Sequence, residues 1–153
     1  MSEPRTLRSL LDSLAEHGDR QAVLAIKEEG PEHWSYRELA KHTLGLAHGL
    51  TEIGVGRGDN VALLAANRPE WMVACLAVVG AGAVVTPVDA QLADAQLGRV
   101  LGYSEARFVF TTADQSERLE RLDTEVAPRL VLLDVGEDDE RTENTKAAVS
   151  AAR

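Results

Sequence analysis

The stretch "NVALLAA", Asn60 to Ala66, constrains the fold more than any other segment of this chain. Six of its seven residues are apolar, and they do not alternate with polar ones. A strand with one wet face alternates; a strand without alternation needs cover on both faces, as in a parallel sheet between two helix layers. The surrounding pattern agrees. After residue 35 the order is helix, strand, helix, strand, helix, strand, helix, strand: "SYRELAKHTLGLAHGL", "NVALLAA", "NRPEWMVACLAVV", "AVVTPV", "ADAQLGRVLGYSEA", "RFVFTTA", "DQSERLERLDTEVA" and "PRLVLLDV". Such alternation implies right-handed crossovers and a mostly parallel α/β sheet with helices on both faces.

Two elements precede it. "TLRSLLDSLAEHGDR" has leucines at 7, 10, 11 and 14, helical spacing with Thr6 as N-cap and Gly18 as the stop. "QAVLAIKEEGPEHWSY" reads as a short β-hairpin with its turn at Glu29–Pro31. The next helix opens with Ser35-x-x-Glu38, a capping box that satisfies two orphan amides at once. Tyr36, Leu39, Ala40, Thr43, Ala47 and Leu50 then share one face, and Gly54 ends the helix. Further on, Asn67 is expected to cap the third helix and Asp114 the fifth. The α/β unit is expected to run from residue 1 to 135. Residues 136–153, rich in Asp and Glu without apolar periodicity, are expected to form an acidic linker or disordered tail.

Glycines raise the question of a phosphate site. Gly54, Gly56 and Gly58 precede a strand, whereas a phosphate loop places its glycines after a strand and before a helix. Gly80 and Gly82, in "GAGAVVTPVDAQL", close one helix and lead into a strand. They are expected to supply close approach and the left-handed conformation of a helix end. Pro87 is expected to end that strand. Asp89 falls just beyond it, at the carboxyl edge where open α/β sheets bind ligands, and is the one ligand-proximal candidate. Arg68 follows another strand and is placed either to meet an anion or to start a helix in solvent.

Other chemistries are excluded. The sequence has no Gly-Lys-Ser/Thr, Gly-x-Ser-x-Gly or His-Glu-x-x-His. His42 and His48 lie on different faces of one helix, and Cys75 is the only cysteine, set among apolar neighbours. No catalytic, cofactor or metal residues are assigned. The net charge of −9 argues against nucleic acid as a partner. The lone cysteine and the missing signal pattern suggest a cytoplasmic protein. The longest apolar run, Trp71–Val79, is too short for a membrane span.

"WSYREL", "IGVGRGDNVALLAANRPEW" and "VVGAGAVVTPVDAQL", in this order and spacing, resemble the N-terminal part of the adenylate-forming (AMP-binding) ligases. Ser35, Tyr36, Glu38 and Leu39 match the first family motif; Gly80, Gly82 and Pro87 match the third. "NRPEW" and "SEARFVFT" (Ser104–Thr111) most resemble the long-chain fatty acyl-CoA synthetase branch. The resemblance implies an enzyme that joins a carboxylate to ATP, with Mg, and passes the acyl-adenylate to CoA. The family's phosphate loop with Pro-Lys-Gly, its ribose-binding aspartate and its catalytic lysine come after the matched region and are not in this sequence. A fragment, inactive alone and binding no cofactor itself, is therefore expected. Its partner would be the remainder of the ligase chain. The rival reading is a stand-alone, non-catalytic interaction module with a protein docked on an exposed face.

Overall fold

In this computed structural model, residues 6–28, 30–122 and 128–133 are described. Helix α1 (Leu7–Leu14) continues as a 3₁₀ turn (Ala15–His17), and strands β1 (Gln21–Lys27) and β2 (Gly30–Ser35) form the hairpin. Then come α2 (Tyr36–Glu52), β3 (Asn60–Leu64), α3 (Pro69–Gly80), β4 (Val84–Val88), α4 (Asp94–Ser104), β5 (Phe108–Thr111), α5 (Ala113–Glu120) and β6 (Arg129–Leu132). Strands β3 to β6 make one parallel sheet in the order β4-β3-β5-β6, while β1 and β2 pair only with each other. This is the parallel α/β sheet with helices on both faces that the apolar pattern predicts.

Alternate strand residues feed two cores. Val61, Leu63, Phe108 and Phe110 point to the side of α2 and α3, where Leu50, Ala74, Ala77 and Val78 are fully buried. Ala62, Leu64 and Val109 point to the other side, against Leu97 and Leu101 of α4 and Leu119 of α5. The crossover β3–α3–β4 leaves the middle of the sheet in one direction. The chain then returns past β3 to β5, so α4 lies on the opposite face, as right-handed crossovers require.

Local chemistry explains the element ends. Ser35 Oγ accepts the Glu38 amide at 3.2 Å, and the Glu38 carboxylate accepts the Ser35 amide at 2.8 Å, which closes the capping box. Thr6 and Ser9 form the same arrangement on α1. Gly80 and Gly82 do different work. Gly82 holds the left-handed conformation at φ +80°. Gly80 is the last residue of α3, and a Cβ there would come within 3.2 Å of the Ala47 Cβ, so its lack of a side chain lets α3 lie against α2.

Several expectations need correction. Gly30 and Pro31 are paired residues of β2, because the hairpin turn is tighter than Glu29–Pro31. Pro87 does not end β4 but is its fourth residue; β4 is an edge strand, so a missing donor on its open side breaks no ladder. Arg68, not Asn67, is the N-cap of α3, with Pro69 in the first turn and no side-chain cap. Thr112, not Asp114, is the N-cap of α5. Helix α3, whose sequence is apolar on nearly every side and so reads as well buried, is not covered all round: Met72 is exposed and Cys75 half-buried. The acidic segment 136–153 lies outside the described residues.

Candidate functional site

The carboxyl ends of β3, β4 and β5 open on a cleft of about 780 Å³. It lies at the switch point of the sheet, where the chain leaves β3 to one side and returns to β5 on the other, the place where such sheets bind ligands. The β3–α3 connection (Ala66–Arg68), the β4–α4 connection (Ala90, Gln91), the start of α5 and strand β1 line it.

The charges at this cleft are already matched. Arg68 Nε meets Glu70 Oε2 at 2.9 Å, both about two-thirds buried. Lys27 Nζ meets Glu32 Oε2 at 2.6 Å, and Trp34 Nε1 donates to Glu32 Oε1 at 3.0 Å. The Lys27 contact, then the Trp34 bond, hold the Glu32 carboxyl below the usual range; the same contact raises Lys27. Arg68, weighed from the sequence as an anion contact, is thus an ion-paired residue at a helix start.

Arg118 carries no local sequence signal, yet it organises one wall. It is only 17% exposed and its Nε meets Asp94 Oδ1 at 2.7 Å. Its guanidinium also donates to the carbonyls of Ala90 and Leu92 and to Gln115 Oε1. It therefore ties the β4–α4 connection to α5. Asp89 assists from within that loop: its Oδ1 accepts the Gln91 amide at 2.8 Å. The ligand-proximal candidate is thus an exposed turn residue beside the cleft, and its neighbours Ala90 and Gln91, not Asp89, line it.

A triphosphate does not fit these residues. Three helix N-termini lie at this edge, and each carries an acid in its first turn: Glu70 on α3, Asp94 on α4 and Asp114 on α5. Those carboxylates already occupy the positive helix ends that would attract phosphate. Pro69 removes one amide donor from α3. The Thr112 hydroxyl bonds Asp114 and holds its carboxyl below the usual range, so it stays ionised. Among the described residues no three His, Cys, Asp or Glu side chains come together to hold a metal.

The family-motif residues lie elsewhere. Ser35, Glu38 and Leu39 open α2, and the Tyr36 ring packs at a tilt against His17 with ring centroids 4.8 Å apart. Gly80 ends α3 against the middle of α2. The structure thus brings the first motif and Gly80 of the third onto two helices packed together on one face of the sheet, while Gly82 follows α3 and Pro87 lies in β4, and none of these residues lines the cleft. His42 packs at a tilt against Trp34 and His48 approaches Glu52, so the two share no ligand. At the opposite, amino-terminal edge Asp59 accepts the Gly56 amide and Arg107, which lower its pKa; the glycine turn serves that latch.

An open parallel α/β sheet with a cleft at its switch point defines the class. The family model described as AMP-binding enzyme matches residues 10–152, and the chain belongs to that family, whose N-terminal part it represents. It is 39% identical over 114 residues to a naringenin synthase of Pestalotiopsis fici, covering 72% of this chain and 4% of that protein. It is 34% identical to a feruloyl-CoA synthase of an Amycolatopsis species, covering 69% of this chain and 21% of that protein. Its fold superposes on an acyl-CoA synthetase of Brucella canis with a TM-score of 0.75 at 24% identity, covering 89% of this chain and 25% of that one. The chain therefore spans a quarter or less of these proteins. Their named products differ, so the family is fixed and the long-chain fatty acyl branch is not singled out. Among the described residues no helix is long and apolar enough to cross a membrane.

Proposed function

We propose that this chain is the N-terminal part of a cytoplasmic carboxylate–CoA ligase that works through an acyl-adenylate, with ATP, Mg and CoA bound by the whole enzyme. The observation that carries the reading is the family match along residues 10–152. "NRPEW" and "SEARFVFT" favour a long-chain fatty acid as the substrate. In this reading α2 and α3 are scaffold, and the wall tied by Arg118 borders the site where the acyl-adenylate forms. Adenylation needs fixed donors against the developing phosphate charge. Among the described residues the cations lining the cleft, Lys27 and Arg68, are ion-paired, and the helix ends there carry acids. The 153-residue polypeptide is accordingly expected to be inert alone.

ATP–pyrophosphate exchange tests this directly. The full native gene product should show exchange dependent on a carboxylic acid, and the 153-residue polypeptide none above background. Exchange by the short polypeptide would overturn the assignment of the phosphate cradle to the rest of the enzyme. A second reading, the stand-alone interaction module, is favoured by the apolar side chains Leu24 and Ile26, which are 49% and 78% exposed. A native mass near 16.5 kDa would select it.

A further inference from the structure

The connection between β4 and α4, residues 89–93, forms one wall of the cleft through Ala90 and Gln91. Two hydrogen bonds shape it from within. The Leu92 amide donates to the Asp89 carbonyl at 3.2 Å, and the Gln91 amide to the Asp89 carboxylate at 2.8 Å. Both close on the loop itself, so they fix its shape and not its place. Ala93 caps α4 without a side-chain bond, and Asp89, Gln91 and Ala93 are exposed. A loop with so few buried anchors opens readily unless a second element ties it down.

Arg118, in the last turn of α5, makes such a tie. Its Nη1 donates to the Ala90 carbonyl at 3.0 Å and to Gln115 Oε1 at 3.2 Å, and its Nη2 donates to the Leu92 carbonyl. One guanidinium thus grips the loop on both sides of Gln91 and joins it to Gln115, which lines the cleft from α5. These carbonyl bonds matter more than the ion pair. Asp94 is 68% exposed, and exposed pairs contribute little. The guanidinium is mostly buried, where bonds from a charged donor are stronger. A planar fork can serve several acceptors at fixed angles, which an ammonium cannot do.

We propose that Arg118 is a positioning residue for adenylation, holding Ala90, Gln91 and Gln115 in the one arrangement beside which the acyl-adenylate forms. This rests on reading the chain as the N-terminal part of a carboxylate–CoA ligase. Arg118 does not itself line the cleft, so it acts through the residues that do. Loss of orientation acts on the reacting geometry, and a displacement of about 1 Å can cost on the order of 100-fold in rate.

The test measures ATP–pyrophosphate exchange, the unfolding midpoint and amide hydrogen exchange in the full native gene product and its variants. Arg118→Met should lower kcat by about tenfold or more and leave KM for ATP and acid within about threefold. Arg118→Lys keeps the charge beside Asp94 but loses the fork, and should lower kcat by about three- to tenfold. In both variants the Gln91 and Leu92 amides should exchange about tenfold faster. Arg121→Met, the same change at an exposed position just beyond α5, should leave all of these as they were. If Arg118→Met does not fold, Arg118→Lys decides. A folded Arg118→Lys with unchanged kcat would overturn the proposal and leave the functional reading intact. So would a raised KM with unchanged kcat, a lower kcat without faster loop exchange, or an equal loss in Arg121→Met. A wild-type full product that shows no exchange with any carboxylic acid would overturn both.

Discussion

The four-stranded sheet and the two-stranded hairpin are made from similar residue types and end in opposite conditions. In β3 and β5 nearly every residue is buried, and Val61, Ala62, Leu63, Leu64 and Val109 have no solvent exposure. In β1 no residue is fully buried. The difference is not hydrophobicity, since "QAVLAIK" is as apolar as "NVALL" with a lysine added. It is cover. Among the described residues, β3 and β5 have neighbours on both edges and helices on both faces, whereas β1 has one strand neighbour and, on the face of Leu24 and Ile26, no cover. Apolar sequence marks what needs to be buried; topology decides whether this stretch of chain does the burying.

Substitutions can sharpen that contrast or break it. The largest effect is expected in the sheet. Phe110→Ala, in a fully enclosed site, should cost about 3–5 kcal/mol, read as a lower urea midpoint by circular dichroism. A loss under about 1 kcal/mol would mean the core is looser than its burial implies. Gly80→Val comes next. Its side chain would press on Ala47 and on Leu11, 3.2 and 3.6 Å from a Cβ, so overpacking should cost about 1–3 kcal/mol in the same assay. Ser35→Ala removes the cap where the hairpin joins the sheet's first helix and should cost about 1 kcal/mol.

A pH titration compares the two regions through their carboxylates. Glu32 in the hairpin is held low by Lys27, Glu38 by the Ser35 amide, and Asp59 at the sheet edge by the Gly56 amide and Arg107. A lowered folded pKa favours the folded state above the unfolded value of about 4, and that contribution fades as pH falls through the folded value. The unfolding midpoint should stay level from about pH 7 to 5 and drop below about pH 4. A drop already at pH 6 would mean that these carboxylates do not set the acid limb. The smallest effect belongs to the hairpin face. Ile26→Ala, at 78% exposure, should change the stability of the short polypeptide by less than about 0.5 kcal/mol. A larger loss would mean β1 is covered in this polypeptide and would erase the contrast.

The elements legible in the sequence were those set by neighbours a few residues apart. The Ser35–Glu38 box spans three residues and is read directly from the chain. The strand "NVALLAA" carries its two-sided burial in its composition, and Gly82 its left-handed turn in the need for φ above zero. Errors of one or two residues arose where two local signals competed. Asn67 and Arg68 both precede the proline of α3, and Thr112 and Asp114 both suit the start of α5. Pro87 read as a terminator because a sequence does not say which strand is an edge.

The cleft was legible only in outline. That a site belongs at the carboxyl edge follows from helix–strand alternation, and Asp89 was placed beside it on that ground. Which side chains form it was decided by tertiary structure. Arg118 and Asp94 lie 24 residues apart, and their pairing exists only because α4 and α5 cover the same face of the sheet. Lys27 meets Glu32 through the hairpin register, which the tight turn sets. By itself the sequence determined the class of fold, because burial pattern and capping are short-range properties of a chain in water. The tertiary structure alone decided which strand edges stay open among the described residues, because an edge is defined by the neighbours a strand lacks.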